Sequence, residues 1–214
     1  EGTNARKNRW VNSEIMYNNG PGIRIAGPGS VISNNRIYTN AGAGVLITAG
    51  SSNIVVRNVI YSNGGPGIHI NGATTNNIVI NNTVFRNAGR GIFMNLGRDT
   101  KVYGNIVVSN GGNGIEDDPS AIATVAQNND AFGHGGIFNN YQPVLLGSAP
   151  GNVASDPIFI DAASTNFRLS GPSPLSPVVD KGTTNGLLRF DGTPVNGTNR
   201  DMGAYESPYN AGAR

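Results

Sequence analysis

The sequence has no cysteine among its 214 residues, and only 7% of its residues are aromatic and 13% charged. The lack of cysteine excludes a disulfide scaffold, a thiolate zinc site and a cysteine nucleophile. No apolar run approaches the roughly 18 residues that a membrane-spanning helix needs, so we expect no membrane span. The chain begins with Glu1 rather than methionine, and we interpret it as a mature or trimmed segment.

Charge is low in total and unevenly spread along the chain. The formal net charge is +2, yet residues 1–113 contain ten Lys or Arg against three acidic residues, and residues 114–214 contain five against ten. A basic first part could attract an acidic polysaccharide or nucleic acid through its long-range field. Scattered solvated charge is the simpler interpretation. Because no long run of basic residues occurs, we expect no nucleic-acid partner.

Glycine and asparagine are abundant, with 31 residues each, and they recur with a period of 22 to 24 residues. Apolar residues stand three positions before and two positions after a marker residue in every repeat. Asparagine follows five positions after the marker, except in the last repeat, where His134 replaces it. A glycine and a short alternating segment close the repeats. The markers are Ser13, Asn35, Asn58, Asn82, Asn105 and Asn129.

This pattern predicts an all-β fold. The apolar positions alternate within four-residue pieces, which excludes helical repeats. The sequence lacks the leucine signature of leucine-rich repeats, and its period is shorter than the roughly 40 residues of a propeller blade, so both folds are excluded. A parallel β-helix of about six coils remains, and its copies stack in columns. We expect coils over residues 1–140, and an irregular last coil and cap over 141–214 of the same domain. The marker asparagines should occupy sharp left-handed corners and bond their copies one coil away.

The C-terminal part resembles a known family. The residues that carry the resemblance are NNDAFG at 128–133, GNVASDPIFID at 151–161, NFRL at 166–169, SPVVDKG at 176–182, DG at 191–192 and DMGAYE at 201–206. Together with the repeats they look like the ending of bacterial secreted right-handed parallel β-helix proteins. The ending is also similar to that of family-nine pectate lyases within the polysaccharide lyase-like β-helices.

The resemblance implies a right-handed β-helix that is secreted or lies at the cell surface and is associated with polysaccharide. Family-nine lyases use a calcium site of several aspartates and a basic residue that removes a proton, and the sequence shows no matching constellation. Since one fold serves many activities, the resemblance implies no particular reaction.

Candidate site residues lie on the strand after each closing glycine. Its outward positions should form one column, and a mixture of a cation, an imidazole, rings and a carboxylate could stack sugar rings and bind a uronate. We predict substrate binding by Arg24, Phe93 and Phe138. A decorated solvent face is the alternative. The predicted column is Arg24, Leu46, His69, Phe93, Glu116 and, beyond the break in the repeat, Phe138.

Acidic residues cluster at the end of this column. Asp117 stands where other coils place inward Ile70 or Met94, so the strand could end at Ile115 and the acids could begin a turn. Alternatively, Glu116 and Asp118 share one side and could hold calcium, the one cofactor that the sequence suggests. They could equally form a carboxylate pair for glycoside hydrolysis.

A second hypothesis is that residues of this column are catalytic. Glu116 and His69 are the catalytic candidates, since an imidazole can act as a base near neutral pH. A lyase would also need a cation, and the candidates are Arg90 and Lys101, both expected in connecting segments. His134 is most simply a variant of the asparagine column.

We therefore expect a β-helix protein that binds or acts on polysaccharide, with an acidic polysaccharide as one candidate. If it is an enzyme, a polysaccharide lyase or glycoside hydrolase is expected. The alternative is a non-catalytic surface protein, an adhesin or a fibre subunit, with end-to-end self-association through an uncapped first coil.

Overall fold

The computed structural model describes residues 7–136, 140–142, 149–182 and 199–208, and the regular elements in these ranges are all β-strands. In these ranges no helix is long and apolar enough to cross a membrane.

Eighteen strands form three parallel sheets, and each coil contributes one strand to each sheet. The first sheet consists of β1 (Arg9–Val11), β4 (Val31–Ser33), β7 (Ile54–Val56), β10 (Ile78–Ile80), β13 (Lys101–Tyr103) and β16 (Val125–Gln127). The second consists of β2 (Glu14–Met16), β5 (Arg36–Tyr38), β8 (Val59–Tyr61), β11 (Thr83–Phe85), β14 (Ile106–Val108) and β17 (Asp130–Phe132). The third consists of β3 (Ile23–Ile25), β6 (Val45–Ile47), β9 (Ile68–Asn71), β12 (Ile92–Asn95), β15 (Ile115–Asp117) and β18 (Tyr141–Gln142). The predicted six-coil solenoid is confirmed.

The core consists of the predicted apolar columns. In the first two sheets the central residue of each strand pairs with its copies in the neighbouring coils and points inward. Each fully buried Ile or Val contributes about 1.5–3 kcal/mol of hydrophobic stabilisation. The two columns are Trp10, Ile32, Val55, Val79, Val102 and Ala126, and Ile15, Ile37, Ile60, Val84, Val107 and Ala131.

Asparagine ladders run beside these columns, as predicted. The Oδ1 atom of Asn82 accepts the backbone N–H of Asn58 at 3.0 Å, and its Nδ2 donates to Oδ1 of Asn105 at 3.0 Å. The same Nδ2 also donates to the carbonyl oxygen of Val55 at 2.9 Å. Because Asn82 is fully buried, each of these bonds satisfies a polar group that water cannot reach.

The predicted left-handed corner is displaced by one residue. The ladder asparagines do not have positive φ; the residue before each of them does, for example Asn34 at 56° and Arg57 at 56°. The corner residue therefore makes the turn, and the asparagine that follows fills the space inside it.

His134 is a variant of the second ladder, as predicted. Its Nδ1 accepts the backbone N–H of Asn110 at 3.1 Å, and its Nε2 lies 2.9 Å from the carbonyl oxygen of Val107. The proton is therefore on Nε2, which donates to Val107 as the amide nitrogen of an asparagine would. Burial lowers the pKa of His134 to about 4, so the ring is neutral near pH 7.

The irregular C-terminal part lies against the outer face of the second sheet. A short antiparallel hairpin of β19 (Phe159–Asp161) and β20 (Asn166–Leu169) places Phe167 against Tyr61 and Phe85, with ring centroids 5.4 and 5.0 Å away. Further along the chain, the N–H of Gly203 donates to the carbonyl oxygen of Gly104 at 2.7 Å. The outward rings of Tyr61 and Phe85 in the second sheet are thus covered.

Candidate functional site

The outward column of the third sheet follows the predicted order as far as Glu116. The pairing register joins residues of successive coils, so their side chains leave the sheet on the same side. Gln142 is the register partner of Glu116 in the last strand, and Phe138 lies outside the described residues. The column is Arg24, Leu46, His69, Phe93, Glu116 and Gln142.

Three side chains form a stack at the centre of this column. The rings of His69 and Phe93 are stacked, with centroids 4.8 Å apart and an angle of 24° between their planes. Arg90 lies over the Phe93 ring, with its Cζ 4.2 Å from the ring centroid. A guanidinium in this position is attracted by the quadrupole of the ring. Phe93 is only 8% exposed and His69 is half-buried, so the part of the stack most open to solvent is the Arg90 guanidinium with its N–H donors.

Glu116 fixes the position of Arg90. One Glu116 oxygen, Oε2, accepts from Nε of Arg90 and also from Nδ2 of Asn113, the latter at 2.8 Å. Only 8% of Glu116 is exposed, and a buried carboxylate without partners would be strongly destabilising. The Arg90 side chain itself is 42% exposed, which leaves guanidinium N–H groups for a ligand.

The connection between the second and third sheets leaves room for Arg90. A Cβ atom at Gly112, one coil further along, would lie 2.9 Å from Cγ of Arg90, so a side chain there would displace the arginine. An open depression of about 340 Å³ lies beside the stack, and Arg90, Asn113, Glu116 and Gln142 contribute to its lining. Its floor is largely backbone and its polar groups are donors and acceptors of the kind that hydroxyl-rich ligands require.

His69 is partly enclosed by its neighbours. Burial and the positive charge of Arg90 lower its pKa, which favours the neutral imidazole. Its Nε2 atom is buried and has no hydrogen-bond partner in the described ranges. The ring stacks on Phe93, and its role as a catalytic base stays a prediction.

The acidic residues after Glu116 do not converge on one point. Strand β15 continues through Asp117, which pairs with Met94, so the expectation that the strand ends at Ile115 is wrong. Oδ1 of Asp117 accepts from Oγ1 of Thr124 at 3.1 Å, and burial raises its pKa. Asp118 accepts from the N–H of Ser120 at 3.0 Å.

The calcium and carboxylate-pair hypotheses gain no support from these contacts. Glu116 is engaged with Arg90 and Asn113, whereas Asp118 bonds within its own turn. Across the parts of the chain that are described, no three His, Cys, Asp or Glu side chains come together as a metal site would require. Calcium binding by Glu116 and Asp118 stays a prediction.

The other predicted cations are separated from the stack. Arg24 is exposed in β3, two strands from His69, with Leu46 between them. Lys101 belongs to strand β13 of the first sheet, so its placement in a connecting segment is wrong. Of the two basic candidates only Arg90 reaches the column.

Sequence reasoning did not identify Asn113 or Gln142 and could not place Arg90. One signal was available for Arg90. The fifth residue of each connection between the second and third sheets is Pro21, Ala43, Pro66, Arg90 and Asn113 in successive coils. A long cation in a position otherwise occupied by compact residues calls for a tertiary partner, and that partner is Glu116.

Comparisons with known proteins agree with this architecture. Residues 3–148 match the family model described as a right handed beta helix region. No curated protein sequence matches the chain. A parallel crossover of this kind is also expected to be right-handed on general grounds.

Several solved structures are similar in fold. The periplasmic alginate epimerase AlgG is 20% identical with a TM-score of 0.57, over 69% of this chain and 39% of that one. The A-module of the Azotobacter vinelandii mannuronan C-5 epimerase AlgE4 is 18% identical with a TM-score of 0.55, over 76% and 43%. Pectate lyase Pel9A is 17% identical with a TM-score of 0.51, over 91% and 69%. The chain thus spans about two fifths of the length of these epimerases.

Proposed function

This chain belongs to the right-handed β-helix family, and we propose that it binds polysaccharide on the outer face of its third sheet. The observation that carries the proposal is the stack of His69, Phe93 and Arg90 beside an open depression, with Arg90 held by Glu116. Phe93 is only 8% exposed and supports Arg90 through its ring, and the exposed guanidinium of Arg90 can donate N–H groups to hydroxyl or carboxylate oxygens of a ligand.

The choice of face supports the same proposal. The outward aromatic residues of the second sheet, such as Tyr61 and Phe85, are buried beneath Phe167 of the C-terminal part. They are therefore inaccessible to a ligand. On the third sheet Phe93 is likewise buried, at 8% exposed, but the Arg90 side chain over it is 42% exposed and lines the open depression.

The structural neighbours support the ligand class. AlgG is named as an alginate epimerase, AlgE4 as a mannuronan C-5 epimerase and Pel9A as a pectate lyase, and alginate, mannuronan and pectate are acidic polysaccharides. We extend this ligand class to the present chain as a proposal, together with a location outside the cytoplasm, either secreted or at the cell surface; the periplasmic AlgG supports only the first part of that location.

We propose ligand binding rather than catalysis as the function of this face. Glu116 is paired with Arg90 and hydrogen-bonded by Asn113, so it acts here as a positioning residue for the guanidinium. Nε2 of His69 is buried, and His69 does not contribute to the lining of the depression. Neither group is arranged as a free base.

The test is a binding panel of alginate, polygalacturonate and a neutral glucan, measured by titration calorimetry. Wild-type protein should bind at least one of them. Arg90→Gln and Phe93→Ala should each lower the affinity about tenfold, which corresponds to about 1.4 kcal/mol. Arg98→Gln is the matched control, because Arg98 is exposed at another corner of the coil.

The outcome that contradicts the proposal is an affinity unaffected by Arg90→Gln and Phe93→Ala, or no binding by the wild type. The same samples should be assayed for unsaturated products, new reducing ends and epimerised units. Turnover that disappears in Glu116→Gln would assign catalysis to this face and overturn the ranking of binding over turnover.

A further inference from the structure

Tyr17 differs from its equivalents in the other coils. Each connection from the second to the third sheet begins with a residue of positive φ, and in coil one this residue is Tyr17, with φ of 58°. A positive φ favours glycine, asparagine or aspartate and gives an aromatic residue no local advantage. The equivalent residues are Thr39, Ser62, Arg86, Ser109 and Gly133.

Packing does not account for Tyr17 either. The residue is 73% exposed, the largest exposed fraction among the large hydrophobic residues of the described chain. Neither backbone conformation nor burial therefore explains why a large ring occupies this corner. A ring held open to solvent at a rigid corner is available to a ligand.

The surroundings of Tyr17 have the composition of a sugar-binding surface. An open depression of about 370 Å³ lies beside the ring, and Asn19, Thr39 and Ser62 contribute exposed amide and hydroxyl groups to its lining. The lining contains no charged side chain. Such a surface would recognise the ring face and hydroxyl groups of a sugar without requiring a carboxylate.

This depression lies on the same edge of the solenoid as the proposed site. Tyr17 stands in coil one and Arg90 in coil four, both in connections between the second and third sheets. At about 4.8 Å per coil, three coil steps separate the two residues by roughly 14 Å along the coil axis. Exposed Ala41 and Gly64 lie in the intervening connections, where their small size leaves the surface low.

We propose that Tyr17, Asn19, Thr39 and Ser62 form a second sugar subsite, so that one linear oligosaccharide parallel to the coil axis contacts both this subsite and Arg90. The inference rests on the proposed function and deepens it. The far end offers the cation Arg90 and the Tyr17 end is uncharged, so the two ends differ in what they recognise. The subsite makes affinity depend on ligand length.

The test is calorimetric titration with a series of oligomannuronates and oligogalacturonates of increasing length, and a cello-oligosaccharide series as the neutral set. Wild-type affinity should rise steeply once the ligand is long enough to span both sites. Tyr17→Asn removes the ring and supplies a residue that favours positive φ, so the fold should be unaffected. It should abolish the rise, about tenfold for the long ligands, and leave the short ones unchanged.

Tyr17→Phe keeps the ring and should retain the length dependence. The inference is overturned if Tyr17→Asn binds the long ligands as well as the wild type does, or if it weakens short and long ligands equally. Failure of the proposed function would give a different pattern. Phe93→Ala would then leave the affinity for every ligand unchanged, while Tyr17→Asn would still lower the affinity for the long ligands. Absence of binding by the wild type in all three series would overturn both.

Discussion

The coils and the C-terminal part bury their side chains by opposite means. In the coils each buried residue contacts its own copy, as Asn82 contacts Asn58 and Asn105. In the C-terminal part each contact is unique, and Phe167 meets the rings of Tyr61 and Phe85 without a repeated counterpart. Repetition makes the coils stable through nearest-neighbour contacts, whereas the C-terminal part depends on a few non-repeated ones.

The two regions also treat buried ionisable groups differently. The coil interior holds neutral amides and the neutral His134. Carboxyl groups lie buried where the C-terminal part meets the last coils. Burial is the largest cause that raises the pKa of Asp130 to about 7, of Asp201 to about 6 and of Glu206 to about 7.

The largest expected effect is disruption of the repeated region by Asn82→Ala. The Asn82 side chain takes part in at least four hydrogen bonds to buried groups: Oδ1 accepts from the N–H and Nδ2 of Asn58, and Nδ2 donates to the carbonyl oxygen of Val55 and to Oδ1 of Asn105, which keeps the backbone N–H of residue 82 as a donor. Each lost bond costs about 1 kcal/mol and the buried N–H of Asn58 loses its partner, so the free energy of unfolding should fall by about 5 kcal/mol. Chemical denaturation measures this loss. Exposed Asn19→Ala is the control, and a similar loss there would contradict the ladder argument.

Next in size is release of the non-repeated region by Phe167→Ala. Phe167 is 1% exposed, and truncation of a buried phenylalanine costs about 3–5 kcal/mol. The loss should be local. Hydrogen exchange should accelerate in residues 149–182 and 199–208, while amides of the first and third sheets keep their protection. Uniform acceleration in all three sheets would show that the two regions unfold together.

Lowering the pH should strengthen the docking of the C-terminal part and weaken the coils. Asp130 controls the effect on docking. Its carboxyl is fully buried, with Oδ1 accepting from the N–H of Ser155 at 3.0 Å, and its pKa rises from 3.8 to about 7. The docked form therefore holds a proton that the released form loses. Docking should be strongest near pH 4 and weaken by about 2–4 kcal/mol as the pH rises to about 7.

Hydrogen exchange in residues 149–182 at several pH values, corrected for the intrinsic rate, measures this dependence. Asp130→Asn should flatten it without changing the shape of the side chain. Asp99→Asn is the control, because Asp99 is exposed and has a positive φ of 52° that asparagine tolerates. A pH dependence that survives in Asp130→Asn would assign it to Asp201 and Glu206 instead.

The smallest expected effect comes from His134, and here stability increases as the pH rises, which is opposite to the effect of Asp130. The pKa of His134 is 6.5 when exposed and about 4 when folded, so the unfolded chain binds the extra proton between these values. The free energy of unfolding should increase by about 2–3 kcal/mol from pH 4 to pH 6.5 and not change above that on account of this residue. His134→Asn should continue the ladder and remove this slope in denaturation midpoints. An unchanged slope would mean that the ring is not buried as a neutral group.

The sequence predicted the coils well because the same information occurs in it several times. The positions three before and two after each marker gave the inward columns of the first two sheets with the correct register. The ladder bonds of Asn58 and Asn82 followed from stacking alone. The corner was misplaced by one residue because φ depends on the local turn, and both the corner and the ladder positions are often asparagine.

The candidate site was predicted only in part. The order of His69, Phe93 and Glu116 along the third sheet followed from the repeat. That Glu116 pairs with Arg90 did not follow, because Arg90 lies 26 positions earlier, at a position that is Pro or Ala in the three preceding coils. The strand through Asp117 was also missed, since three successive acids resemble a turn when considered locally.

The sequence by itself determined the solenoid, its columns and its ladders. A period that matches the length of one coil places every residue about 4.8 Å from its own copy, so a linear pattern becomes a line of contacts in space. Only the tertiary structure decided which outer face is available to a ligand. The covering of Tyr61 by Phe167 and the meeting of Arg90 with Glu116 are single contacts between unlike segments. No repetition in the sequence records them, because they depend on how unlike segments pack in three dimensions.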